Sequence, residues 1–221
     1  MQKFDTPSPI SVVLAVPAGH LRFIAADRTD TTVEVLPENA SKSRDAKAAE
    51  QVEVGYADGV LRISMPEPKN KLLGHSGAVE ITVQLPAGSR VEAKAAAAEF
   101  RGVGRLGDVA FEGGHRSVKL DEAASARLAA HDGDVVVGRL TGPAELSTQR
   151  GNVTVTEAHR GDVTLSTQQG DIAVGAARGV SAALDAGTTY GRIHNSLAND
   201  GDAGLRIRAT TSYGDITARS L

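Results

Sequence analysis

Gly102-x-Gly104-x-x-Gly107 has the spacing of a dinucleotide-binding turn, in which glycines let the backbone close on a pyrophosphate at a helix N-terminus. That chemistry needs a strand before the glycines and a helix after them. Here the glycines lead into DVAFEGG (108–114), which reads as strand, and the chain shows no alternation of strand and helix patterns. The pattern therefore predicts a turn-rich stretch and no cofactor. Arg160-Gly161-Asp162 has the letters of a cell-adhesion tripeptide, yet its glycine also falls on a regular grid of corners described below. His131-Asp132-Gly133-Asp134 and Asn199-Asp200-Gly201-Asp202 could offer oxygens to calcium. A calcium loop wants acidic residues at alternate positions with a distal Glu, or a Gly-rich nonapeptide; neither is met, so both read as Asx-type turns with no metal. The six histidines, at 20, 75, 115, 131, 159 and 194, have no ligand-like spacing. Gly74-His75-Ser76-Gly77 sets His beside Ser without forming the G-x-S-x-G nucleophile elbow.

Paired charges at turns raise one more chemistry. Asp162 with Arg160, and Asp171 with Arg150, are the best available pairs for cleaving a polysaccharide, which needs an acid and a base on one face. Sugar sites also favour aromatic platforms, and here Trp is absent and only seven residues are Phe or Tyr. A carbohydrate-active enzyme on a β-helix is thus the alternative reading. The leading one assigns no catalytic residue at all.

Composition sets what can position such residues. The 221-residue chain is 41% hydrophobic but only 3% aromatic, so its interior must be built from Val, Ile, Leu and Ala. A net charge of −3 gives no electrostatic footprint for nucleic acid or an anionic membrane. Without Cys there is no disulfide framework and no thiolate metal site. The apolar run from Ile10 to Val16 reads as a strand rather than a signal segment, and no run approaches the ~20 apolar residues of a membrane helix. The expected location is the cytoplasm.

The strongest regularity is an echo. Residues 146–153 read LSTQRGNV and residues 165–172 read LSTQQGDI, 19 residues later. One column of corners follows from it: Arg116 in a glycine's place, then Gly133, Gly151, Gly170, Gly191 and Gly214. A second column, half a period out of phase, is Gly107, Ala124, Gly142, Gly161 and Gly179. Two interleaved columns with steps of 17 to 23 residues predict an all-β fold, a β-solenoid whose coils each turn two main corners. Alternation after each corner points Val153, Val155, Val163, Leu165, Ile172 and Val174 inward, and Thr154, Thr156, Thr164 and Ser166 outward. Stacked in sequence order, the residues after the first-column corners form a ladder: Ser117, Asp134, Asn152, Asp171, Arg192, Asp215. That order keeps the Asp residues apart, as like charges on neighbouring strands require. Tyr190 and Tyr213, equivalent in the repeat, are expected to stack.

Residues 1–98 form a strand-rich N-terminal portion expected to cap the solenoid of residues 99–221. Its signals are VVLAV (12–16), LRFIA (21–25), TVEVL (32–36) and a hairpin through Ala57-Asp58-Gly59. PENASKSRDAKAAE (37–50) reads as a loop or short helix, and PEPKNKLLGHSG (66–77) as a long loop. The strand-rich start, the run VEITVQLPAGSRVEAKAA (79–96), the transition RGVGRLGDV (101–109) and the later Gly-Asp-Val/Ile corners resemble the bacterial putative-adhesin, β-strand-repeat family of unknown function. The resemblance covers nearly the whole chain. It implies a right-handed β-helix-like fold with a strand-rich start, and supplies no catalytic motif.

The functional expectation is a non-catalytic scaffold or interaction module whose Thr154, Thr156, Thr164 and Ser166 form one binding face for a protein partner. Self-assembly is a further expectation. The last coil, with its apolar row Leu205, Ile207 and Ile216, is expected to be the open edge through which a homodimer forms.

Overall fold

The computed structural model describes residues 1–66 and 77–221. The strands, in chain order, begin with β1 (Gln2–Asp5), β2 (Ser11–Ala15), β3 (Ala18–Ala26), β4 (Asp30–Pro37), β5 (Glu53–Ala57) and β6 (Val60–Ser64). β7 (Val79–Pro86), β8 (Arg90–Ala95), β9 (Ala97–Gly113), β10 (Val118–Ala130), β11 (Val135–Leu140) and β12 (Ala144–Arg150) follow. The last are β13 (Val153–Ala158), β14 (Gly161–Gln169), β15 (Ile172–Ala176), β16 (Ala182–Tyr190), β17 (Ile193–Ser196), β18 (Leu205–Tyr213) and β19 (Ile216–Ser220). A helix, α1 (Ser43–Gln51), occupies the segment read as loop or short helix. It buries Ala48, and its Asp45 accepts the Ala78 N–H at 3.0 Å. The stretch read as a long loop, and Gly74-His75-Ser76 within it, lie outside the described residues save for its ends.

Each coil contributes one strand to each of two walls, and the long strands β9 and β10 bend from one wall into the other. The first wall runs β1, β4, β7, β3, the start of β9, the start of β10, β11, β13, β15, β19, β17. The second runs β5, β6, β2, β8, the ends of β9 and β10, β12, β14, β18, β16. Pairing is parallel throughout, except where β1, β4 and β5 close one end antiparallel. The period-two pattern is what drives this. In β14, Val163, Leu165 and Thr167 are buried while Asp162 is exposed and Thr164 and Ser166 are half-buried. In register the buried residues make continuous rows. One is Val118, Val135, Val153, Ile172 and Ile216, all at most 1% exposed. Around β9, Phe23, Phe100 and Phe111 fill the core, with ring centroids 5.2 and 5.0 Å apart.

The chain is thus the all-β solenoid-like fold expected, but its coils do not stack in sequence order at either end. The first coil, β2 with β3, lies between β6–β7 and β8–β9. The solenoid therefore does not begin at residue 99: residues 1–98 supply coils of their own as well as the antiparallel end. At the other end the last coil, β18 with β19, is inserted between β14–β15 and β16–β17. Side-chain chemistry accounts for that order. Asn195 falls in the inward row beside Ala218, which continues Val137, Val155 and Val174. Burying an amide between two coils costs free energy unless it is hydrogen-bonded. At the end of the stack Asn195 is exposed and accepts the Leu197 N–H at 3.0 Å. The more apolar coil, with Leu205, Ile207 and Ile216, takes the interior place.

Candidate interaction faces

The corners are built from three side-chain types. Gly151 has φ +138°, and a Cβ there would run into the Gly133 carbonyl of the coil before it. The same close approach recurs along the column: Gly170 onto Gly151, Gly214 onto Gly170, Gly191 onto Gly214. Three residues ahead of each of these glycines is a Thr whose hydroxyl donates to the glycine carbonyl of the neighbouring coil. Thr148 binds Gly133, Thr167 binds Gly151, Thr211 binds Gly170 and Thr188 binds Gly214, at 3.0 to 3.1 Å. One residue past each corner, a carboxylate or amide oxygen accepts the backbone N–H of the equivalent residue in the next coil. Asp134 accepts from Asn152 at 2.8 Å, Asn152 from Asp171 at 2.8 Å, Asp171 from Asp215 at 2.7 Å and Asp215 from Arg192 at 2.9 Å. The glycines had revealed the column; the Thr at i−3 was an equally periodic signal.

This ladder corrects the sequence reading. Asp171 and Asp215 are neighbours, and Arg192 stands beyond them rather than between. The like charges are tolerated because each carboxylate has its own donor: Asp171 takes a backbone N–H, and Asp215 is also paired to the Arg192 guanidinium at 3.0 Å. Those contacts hold the Asp215 carboxyl below its ordinary pKa, the Arg192 backbone N–H contributing most. Asp108, bonded by Ser125 and Arg90, is lowered in the same way.

The residues expected to form one interaction face divide between the two walls. Thr154 and Thr156 lie on β13 in the first wall, Thr164 and Ser166 on β14 in the second. All four point outward. On the second wall Ser147, Ser166 and Thr210 form one row, with Ala129 before and Gly187 after. Lys94–Glu112, at 3.2 Å, starts that same row, and the adjoining row through Thr164 carries Arg127–Glu145 at 3.3 Å and Arg208–Asp185 at 3.2 Å, each bridging neighbouring coils. Such exposed pairs add little stability each, but they balance the wall's charge locally.

The carboxylate–arginine pairs considered for catalysis do not form. Arg160 donates to the Thr141 carbonyl, Arg150 pairs with Asp132, and Asp162 faces Arg206 at 3.8 Å. Asn199 and Asp200 make Asx turns, accepting from Gly201 and Asp202. Among the described residues no group of three or more His, Asp or Glu is placed to hold a metal ion. Gly102-x-Gly104-x-x-Gly107 lies within β9, where strand continues past it and Leu120 and Leu106 crowd Gly102. Tyr190 and Tyr213 do stack, 4.9 Å apart and 8° from parallel.

Leu205, Ile207 and Ile216, expected at an open edge, are at most 2% exposed and have a strand on either side. The open edge belongs to β16 and β17. There Ile193 is 46% and Tyr190 64% exposed.

Fold and corners together define a β-solenoid of parallel coils with two flat, outward-facing walls. The chain belongs to the Toastrack family, DUF4097, whose family model matches residues 12–220. No curated protein matches it. Among solved structures it is similar to a putative adhesin from Bacteroides fragilis, at 15% identity and TM-score 0.48, over 98% of this chain and 95% of that one. It is also similar to a putative cell adhesion protein from Clostridium sporogenes, at 14% identity and TM-score 0.42, over 100% and 98%. A third is a putative lipid binding protein from Parabacteroides distasonis, at 12% identity and TM-score 0.37, over 98% and 95%. No described helix is long and apolar enough to cross a membrane.

Proposed function

We propose that this chain is a non-catalytic interaction module that presents its second wall to a protein partner. The observation that carries the reading is the row Ser147, Ser166 and Thr210, held flat by parallel pairing and flanked by ion pairs that satisfy one another across coils. A surface fixed in this way loses little conformational freedom on binding, so modest contacts suffice for recognition. The test places bulk on one wall at a time. Ser166→Arg and Thr210→Arg crowd the second wall, and Thr154→Arg and Thr156→Arg crowd the first. In crosslinked capture from cells, a partner recovered with the unaltered chain should be lost with the second-wall variants and kept with the first-wall ones. Loss from neither wall, or from both equally, overturns the assignment.

A further inference from the structure

We infer that a second copy of this chain pairs with β16, antiparallel and across a two-fold axis at Ala186. The two ends of the solenoid are finished differently. At one, β6 and β7 are each covered by an antiparallel strand of the same chain, β5 and β4. At the other, β16 and β17 have a strand on one side only among the described residues. Natural edge strands are shielded by Lys, Pro, bulges or a covering segment. β16, AALDAGTTY, is nine residues long, has none of those residues, and its single charge, Asp185, is engaged by Arg208.

The free stretch is bounded on both sides, and the bounds fix a register. The Leu205 N–H donates to the Ser181 carbonyl at 3.3 Å, so odd-numbered residues of β16 face β18. Alternation then turns the N–H and C=O groups of the even-numbered residues toward the open side. The Ala182 N–H is taken by the Ala198 carbonyl at 3.0 Å, and the Tyr190 carbonyl accepts from the Gly214 N–H at 3.0 Å. Between these lie Leu184, Ala186 and Thr188. Their centre is Ala186, so a two-fold axis there matches Leu184 with Thr188 of the second copy, Ala186 with its equivalent, and Thr188 with Leu184. Shifting the axis by one residue toward the N-terminus would set Asp185 against Asp185, whereas at Ala186 each Asp185 faces a Gly187. Like charges directly opposite destabilise a ladder, so charge and hydrogen bonding select the same register.

Gly187 makes the test clean. It has no positive φ, and a Cβ there meets nothing within 4 Å, so substitution leaves the chain's own fold intact. Gly187→Asp places two new like-charge pairs across the axis, and Gly187→Lys places two opposite ones. Ala186→Pro removes the central donor, which faces away from β18. Light scattering after size exclusion, at micromolar concentration, should give twice the chain mass for the unaltered protein. The dimer should weaken by about tenfold with Gly187→Asp, persist with Gly187→Lys, and be lost with Ala186→Pro. A monomeric unaltered chain, a dimer indifferent to all three changes, or assemblies that keep growing with concentration each overturn the proposal.

Discussion

At the residue scale, the corners are held by side chains bonding to the backbone of the next coil, and the buried Thr are the least replaceable of them. Thr167 is 6% exposed and its hydroxyl donates to the Gly151 carbonyl at 3.0 Å. Valine would fill the same space and leave that half-buried carbonyl without its hydroxyl donor. We expect Thr167→Val to destabilise by about 1–3 kcal/mol in urea unfolding, and Thr167→Ser to restore most of the loss. Thr164→Val, on the outer side of the same strand, should change stability by no more than about 0.5 kcal/mol. Equal losses at the two positions would deny the hydroxyl its role.

At the scale of the element, the coil of β16 and β17 pairs, among the described residues, with β18 and β19 alone, and part of its attachment is ionic. Asp215 accepts the Arg192 N–H and guanidinium, and so its carboxyl titrates below the ordinary value of 3.8. A lowered pKa in the folded state means that the carboxylate favours folding. The contribution is complete above the ordinary value and disappears as pH falls through the lowered one. The pair is exposed and screened by solvent, so its effect is local rather than global. Between neutral pH and pH about 3, the Arg192 amide resonance should shift with a midpoint below that of an unperturbed Asp. Asp215→Asn should abolish this titration while keeping the acceptor oxygen. An Arg192 amide that moves identically in the variant would show the response to come from elsewhere.

On the scale of the whole molecule, the interleaved order of coils can be read with thiols, because the chain has no Cys of its own. Ser166 and Thr210 are direct neighbours on β14 and β18, whereas Ser166 and Gly187 are separated by β18. Two strands apart means about 9.6 Å, beyond the reach of a disulfide. Under mild oxidation the double variant Ser166→Cys with Thr210→Cys should form an intramolecular bridge, and Ser166→Cys with Gly187→Cys should not. Coils stacked in sequence order would give the reverse result. The interleaving also ties folding of β16–β17 to the last coil, since that pair has no strand pairing with β14–β15 to fold against. Removing residues 205–221 should therefore also strip amide exchange protection from β16 and β17, although both strands remain in the chain.

Period-two alternation and the two glycine columns were enough to determine the solenoid, its inward rows and the positions of its corners, because these depend on backbone geometry repeated locally. The Tyr190–Tyr213 stack was legible for the same reason: equivalent positions in a repeat end up near one another. The order of the coils was not. A parallel ladder accepts any coil whose rows match, and the rows of β16 and β18 are nearly interchangeable by pattern. What separates the two coils is Asn195 on β17 where β19 has Ala218 in the same inward row, a difference that acts only once burial is known. The same limit hid the face and the edge. Thr154 and Ser166 look alike along the chain, but the coil turns a corner between them and places them on opposite walls. Leu205, Ile207 and Ile216 stand last in sequence, yet tertiary packing covers them on both sides and leaves β16 exposed instead.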